Sequence, residues 1–138
     1  VHDFLTVGAA APLMEAAVVG LEFGDGYYEK LAAHYAHMKE VFVGGLKKLG
    51  LKYTDPQGAY YVLVDVSEFG VKDDVKFCEW LAQYVGVAAV PGSSFFREDV
   101  NNLIRFHFAK QDDTLNEAIN RLAGLRKAVA EAGDVEWR

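Results

Sequence analysis

Leu31, Tyr35, Met38, Phe42, Leu46 and Leu49 recur at three- and four-residue steps, which places them on one stripe of a helix. Asp25 stands where a cap belongs and Gly50 where a left-handed stop belongs, so the pattern predicts one long helix between them. Ahead of it, Pro12 at a first helical position and the Ala-rich, apolar run to Leu21 predict a short buried helix, broken by Phe23-Gly24-Asp25-Gly26. Beyond Gly50 the period drops to two. Lys52-Tyr53-Thr54 and Ala59 to Asp65 read as neighbouring strands joined through the turn residues Asp55-Pro56-Gln57-Gly58. Asp73 or Asp74 caps a helix bearing Val75, Cys78, Leu81, Ala82 and Val85, which Gly86 ends; Val87 to Val90 is a short apolar strand stopped by Pro91-Gly92. The stretch Leu103 to Ala109 is a further strand, with Ile104, Phe106 and Phe108 on one face and Leu103, Arg105, His107 and Ala109 on the other. A last helix opens with the capping box Thr114-Leu115-Asn116-Glu117 and carries Leu115, Ile119, Leu122, Leu125 and Val129 as its stripe.

Two helices followed by β-β-α-β-β-α, with no repeat and no low-complexity tract, give an α+β fold: a small, mostly antiparallel sheet with helices packed on one face, preceded by a long linking helix. The pattern leaves strand order open. At 138 residues, 51% hydrophobic and 25% charged, the chain has the makings of a core that folds alone. Its formal net charge of -6 offers no basic surface to a nucleic-acid backbone or an anionic membrane, and no apolar run approaches the roughly 20 residues of a membrane span. No signal peptide is evident either, so the expected location is the cytoplasm. The single cysteine, Cys78, excludes an internal disulfide and a cysteine-rich zinc site, and its setting suits a small apolar residue on a helix better than a reactive thiol.

Arg105 is the residue that asks for an explanation. A guanidinium on a half-buried strand is costly unless an anion meets it. Either the chain supplies that anion, from Asp65, Glu98 or Asp99, or a ligand carboxylate receives two parallel N–H donors. The loop Val90-Pro91-Gly92-Ser93-Ser94-Phe95-Phe96 is a plain turn or the wall of an anionic pocket; Tyr60 and Tyr61 are core packing or ligand contacts. His34 and His37 sit three apart on a helix but lack a third metal ligand nearby, so a solvated face accounts for them, and Asp73-Asp74 and Asp112-Asp113 read as helix starts.

Four ordered segments go further than any one of these residues. His2-Asp3-Phe4-Leu5-Thr6 with Pro12 and Glu15-Ala16-Ala17, then Pro56-Gln57-Gly58-Ala59-Tyr60-Tyr61, then Gly86-Val87 through Val90-Pro91-Gly92-Ser93-Ser94-Phe95, and Ile104-Arg105-Phe106-His107-Phe108 together resemble the carboxyl-terminal part of class I/II aminotransferases, the pyridoxal-phosphate enzymes of the aspartate aminotransferase fold. The resemblance implies that residues 1–24 are a remnant of the large cofactor-binding domain and 25–138 the small, substrate-capping domain. It implies that Arg105 grips the α-carboxylate of an amino-acid substrate, with Ser93, Ser94 and Phe95 as its neighbours. It also implies transamination between an amino acid and a 2-oxo acid, of aspartate or aromatic type, in a homodimer. None of the nine lysines follows Ser or Thr, the context of the Schiff-base lysine in that family. No catalytic or cofactor-binding residue is therefore expected in this chain, which by itself should be inactive. Two other classes compete: a stand-alone module that binds carboxylates or amino acids, and a structural or dimerisation domain in which Arg105 pairs internally.

Overall fold

A computed structural model describes residues 8–138; the segment His2 to Thr6 singled out above lies outside the described residues. Two compact units divide at His34 and Tyr35. In the first, helix α1 (Ala11–Leu21) starts with proline in its first turn, as predicted. It is followed by the opening turns of helix α2 (Asp25–Lys48). Tyr28 donates its hydroxyl to the Gly20 carbonyl at 2.8 Å, and the Phe23 and Tyr27 rings stand 4.7 Å apart. The expected burial of α1 is not found: Leu13 is 70% exposed and Leu21 80%, and no residue of the helix is buried. Its apolar residues run all round the axis, and Tyr28 holds only its carboxyl-terminal end.

The second unit is built on a four-stranded antiparallel sheet of order β1-β2-β4-β3. Its strands are β1 (Lys52–Tyr53), β2 (Tyr61–Asp65), β3 (Val90–Pro91) and β4 (Leu103–His107). Period-two alternation is expressed directly in burial. Val62 and Val64 on β2 pair with Phe106 and Ile104 on β4, and all four are buried. From α2, Met38, Phe42 and Leu46 cover that face, with the Phe42 ring edge-on to Phe106 at 5.7 Å. Helices α3 (Asp74–Trp80), α4 (Asp112–Leu122) and α5 (Leu125–Glu131) add Phe77, Leu115, Leu122, Leu125 and Val129 to the same core. The opposite face, which carries Tyr61, Leu63, Arg105 and His107, is left half-open. That is the α+β arrangement the sequence predicts, with β1 and β2 neighbours.

Three expectations are corrected. The strand expected over Val87 to Val90 is confined to Val90–Pro91, because the Val87 N–H reaches back to the Leu81 carbonyl at the end of the preceding helix. Pro91 is tolerated there because β3 is an edge strand. The last helix is two, broken at Ala123-Gly124, although the stripe Leu115, Leu122, Leu125 and Val129 is buried across the break. The capping box does not form: α4 begins two residues before Thr114, after Gln111, and Asp112 and Asp113 in its first turn supply the carboxylates that offset its positive end. Elsewhere the signals hold. Asp73 caps α3, accepting the Lys76 N–H at 3.0 Å. The helix runs on through a π-turn at Leu81–Val85 and ends at Gly86, whose φ of 75° suits the left-handed stop.

Candidate functional site

Arg105 sits at the centre of β4, paired across the open face with Leu63 on one side and Val90 on the other. Its guanidinium carbon lies 4.2 Å from the centroid of the Tyr61 ring and 3.8 Å from that of Phe95. The cation is thus held between two aromatic faces, each contact contributing about 0.5–1 kcal/mol where water has access. No hydrogen bond or ion pair reaches Arg105 among the described residues. Of the acids the sequence offers as partners, Asp65 accepts instead from the Ser67 N–H at 2.9 Å and from Asn102 at 3.0 Å, and Asp99 accepts from Asn101. Burial acts to raise the Asp65 carboxyl, but the Ser67 and Asn102 hydrogen bonds outweigh it and hold that group below its ordinary range. The Arg105 guanidinium lines a cavity of about 490 Å³ together with Tyr61, Phe95, Phe96, Pro56, Gln57 and Asp55.

Phe95 reaches this position from a short 3₁₀ turn, Gly92–Phe95. A Cβ on Gly92 would stand 2.5 Å from the Leu103 carbonyl oxygen, so the turn can lie against β4 only with glycine there. Ser93 follows, and both its N–H and its hydroxyl donate to the carboxylate of Asp74, each at 2.8 Å. Asp74 is 2% exposed.

Of the residues singled out from the sequence, Arg105, Tyr61 and Phe95 meet in the cavity. Ser93 is turned to Asp74, and Ser94 is an exposed residue of the same turn. Sequence reasoning left Tyr61 open between core packing and ligand contact, and it missed Asp74 as the support of the site. The position of Tyr61 beside Arg105 depends on strand register, and Asp74 carried the signal of a helix start and nothing more. Tyr60 stacks on Tyr35 at 5.8 Å and lies 4.5 Å from Tyr61; a hydrogen bond with Tyr61 raises its phenol above the ordinary value. Cys78 is buried, and burial, with the Asp74 charge behind it, pushes its thiol up to about 12, which makes it an unreactive core residue. His37 bonds Asp112 at 2.8 Å, and no group of three metal-ligating side chains occurs among the described residues.

The model of the family described as aminotransferase class I and II matches residues 2–122. The chain belongs to this family. A methionine aminotransferase of Escherichia coli is 36% identical over 126 residues, which cover 91% of this chain and 33% of that protein. Among solved structures, N-succinyldiaminopimelate aminotransferase from Mycobacterium tuberculosis superimposes with a TM-score of 0.78 at 34% identity, covering 89% of this chain and 33% of that one. Aspartate aminotransferase from Thermotoga maritima does so with a TM-score of 0.69 at 35% identity, covering 81% and 27%. The chain spans about a third of the length of these relatives. Class I and II aminotransferases work with pyridoxal phosphate, whose aldehyde requires a lysine amine. No lysine lines the Arg105 cavity. Lys39, which reaches the rim residues Asp55 and Pro56, is committed to the Pro56 carbonyl at 2.6 Å and to Asp55 at 3.0 Å. The residues around Arg105 fit a carboxylate, and they do not fit this cofactor.

Proposed function

We propose that this chain is the carboxyl-terminal, substrate-capping part of a cytoplasmic, homodimeric aminotransferase, and that Arg105 holds the α-carboxylate of the amino acid or 2-oxo acid. The observation that carries the reading is the Arg105 guanidinium, held between Tyr61 and Phe95 with its donors unmatched by any acid among the described residues. A planar carboxylate entering between the rings takes two parallel hydrogen bonds, and the aromatic walls exclude water from them. The relatives' names, methionine and aspartate among them, differ in the side chain and share the α-carboxylate. Phe95 is the direct neighbour of that carboxylate, and Ser93 and Ser94 shape the loop that presents it. Residues 25–138 form the capping domain and residues 1–24 belong to the cofactor-binding domain, a reading supported by the bare apolar side chains of α1. The Schiff-base lysine and the other cofactor contacts come from outside this chain, which is silent alone.

In the full-length enzyme, Arg105→Lys keeps the charge and loses the fork. The expected loss in kcat/KM for an amino acid is about 2–4 kcal/mol of transition-state stabilisation, with cofactor binding unchanged. The matching amine that lacks the carboxylate should be hurt far less; equal losses for both would make Arg105 structural. Pyridoxal phosphate added to the 138-residue chain should give no stoichiometric aldimine absorbance. A one-to-one adduct at a single lysine would overturn the assignment of the lysine to another part of the protein.

A further inference from the structure

We infer that Asp74 is a positioning residue for Arg105, acting through the Ser93 turn and the Phe95 ring; the inference rests on Arg105 as the carboxylate receptor. Among the described residues two rings hold the guanidinium plane, and they are fixed by different means. Tyr61 belongs to β2, whose ladder to β4 sets it in place. Phe95 ends a four-residue turn and is 47% exposed, and Phe96 just after it is 38% exposed, so no core packing pins it. What pins the turn is Gly92 against Leu103 and the two hydrogen bonds that Ser93 donates to Asp74.

Capping does not account for the burial of Asp74, because Asp73 already satisfies the free N–H of Lys76. Withdrawing a carboxylate from water is costly unless its oxygens are met. Here each oxygen accepts one bond, and both donors come from Ser93. Ser93 and Phe95 lie two residues apart in one turn, so a shift at the first moves the second. With the anchor broken, Phe95 leaves the guanidinium face, and Arg105 keeps its charge while its plane is held on one face only, by Tyr61. A carboxylate then meets a cation without a fixed fork, and part of its advantage over a neutral ligand is lost.

The test uses the isotope-labelled chain and two readouts: the Arg105 Nε–H resonance, which two flanking rings displace upfield, and the preference for 3-phenylpropanoate over 3-phenylpropanamide. Asp74→Asn and Ser93→Ala should both move the resonance toward the ordinary arginine position. They should also cut the carboxylate preference about two- to fivefold, the size of one lost aromatic contact. Phe95→Leu should do the same, and Ser93→Thr, which keeps the hydroxyl, should restore both readouts. Should Asp74→Asn fail to fold, Ser93→Ala decides alone, since it removes only a half-buried hydroxyl. An unchanged resonance and preference in a folded Ser93→Ala chain would overturn the inference. Arg105→Gln separates the two levels: if it leaves the carboxylate preference intact, the receptor reading fails, while the Arg105 resonance in the Asp74→Asn and Ser93→Ala chains still shows whether Asp74 positions Arg105.

Discussion

His37 and Asp112 join α2 to α4 through a 2.8 Å contact between side chains that are 54% and 52% exposed. The Asp112 hydrogen bond, and then its charge, raise the His37 imidazole above its ordinary 6.5. A group whose folded value is raised contributes stability that is full below the unfolded value and fades as pH climbs through the folded one. The pair therefore helps the acidic side of neutrality and is lost toward mildly alkaline pH, and salt should weaken it because both partners face water. An NMR titration should find the His37 midpoint above 6.5 in the native chain and back near 6.5 in Asp112→Asn. Cys78 offers a second check at this scale. With its thiol at about 12, only about one molecule in ten thousand is thiolate at pH 8, so alkylation should follow unfolding and nothing faster. Arg105 shows how much of a residue's role a sequence discloses. The mismatch of a guanidinium in a strand was legible, and so was the need for an anion. Which of Asp65, Glu98 and Asp99 lay within reach was not, because Asp65 finds its partners in Ser67 and Asn102, and Asn102 is 37 positions away.

Helices and strands were legible where one face is buried, because the period then selects the element by itself: Met38, Phe42 and Leu46 on α2, Val62 and Val64 on β2, Ile104 and Phe106 on β4. The pattern failed where backbone bonds at a junction decide the outcome. Val87 to Val90 looks apolar enough for a strand, yet Val87 stays with the end of the preceding helix. Nor does a stripe show a break such as the one at Gly124, because the burial of Leu122 and Leu125 continues across it. Two adjacent glycines in α2 show the same dependence on what lies opposite. A Cβ on Gly44 would meet nothing within 4 Å, whereas on Gly45 it would fall 2.5–2.9 Å from three side-chain carbons of Ile119. Gly44→Ala should therefore stabilise by about 0.5–1 kcal/mol through helix propensity alone. Gly45→Ala gains the same propensity but overpacks the helix contact, which costs about 1–3 kcal/mol, so its net effect should be destabilising. Urea unfolding measures both, and Ile119→Ala in the Gly45→Ala background should recover part of the loss.

The two ends of the chain should behave oppositely when shortened. Every described buried residue is Met38 or later, and the unit from Tyr35 onward holds the entire sheet. Deleting residues 1–24 should therefore leave the unfolding midpoint of that unit unchanged. The carboxyl-terminal end is different, although it follows the last helix and carries no periodic signal. Trp137 is 2% exposed and packs edge-on against Phe77 at 5.1 Å and beside Trp80 at 5.5 Å. Its carbonyl accepts the N–H groups of Lys72 and Asp73 at 2.8 and 3.3 Å, just where α3 begins, and Glu136 pairs with Lys76. The tail thus closes the core and steadies the helix start that bears Asp74. Trp137→Ala should cost about 3–5 kcal/mol, the usual loss for emptying a large aromatic site. Trp137→Phe should cost less, because it keeps a ring and also removes a buried indole N–H that has no acceptor among the described residues. Thermal unfolding of the three chains sets the order, and the Arg105 resonance should shift in Trp137→Ala at temperatures where the chain is still folded. A tail deletion as harmless as the amino-terminal one would mean that the fold closes without Trp137.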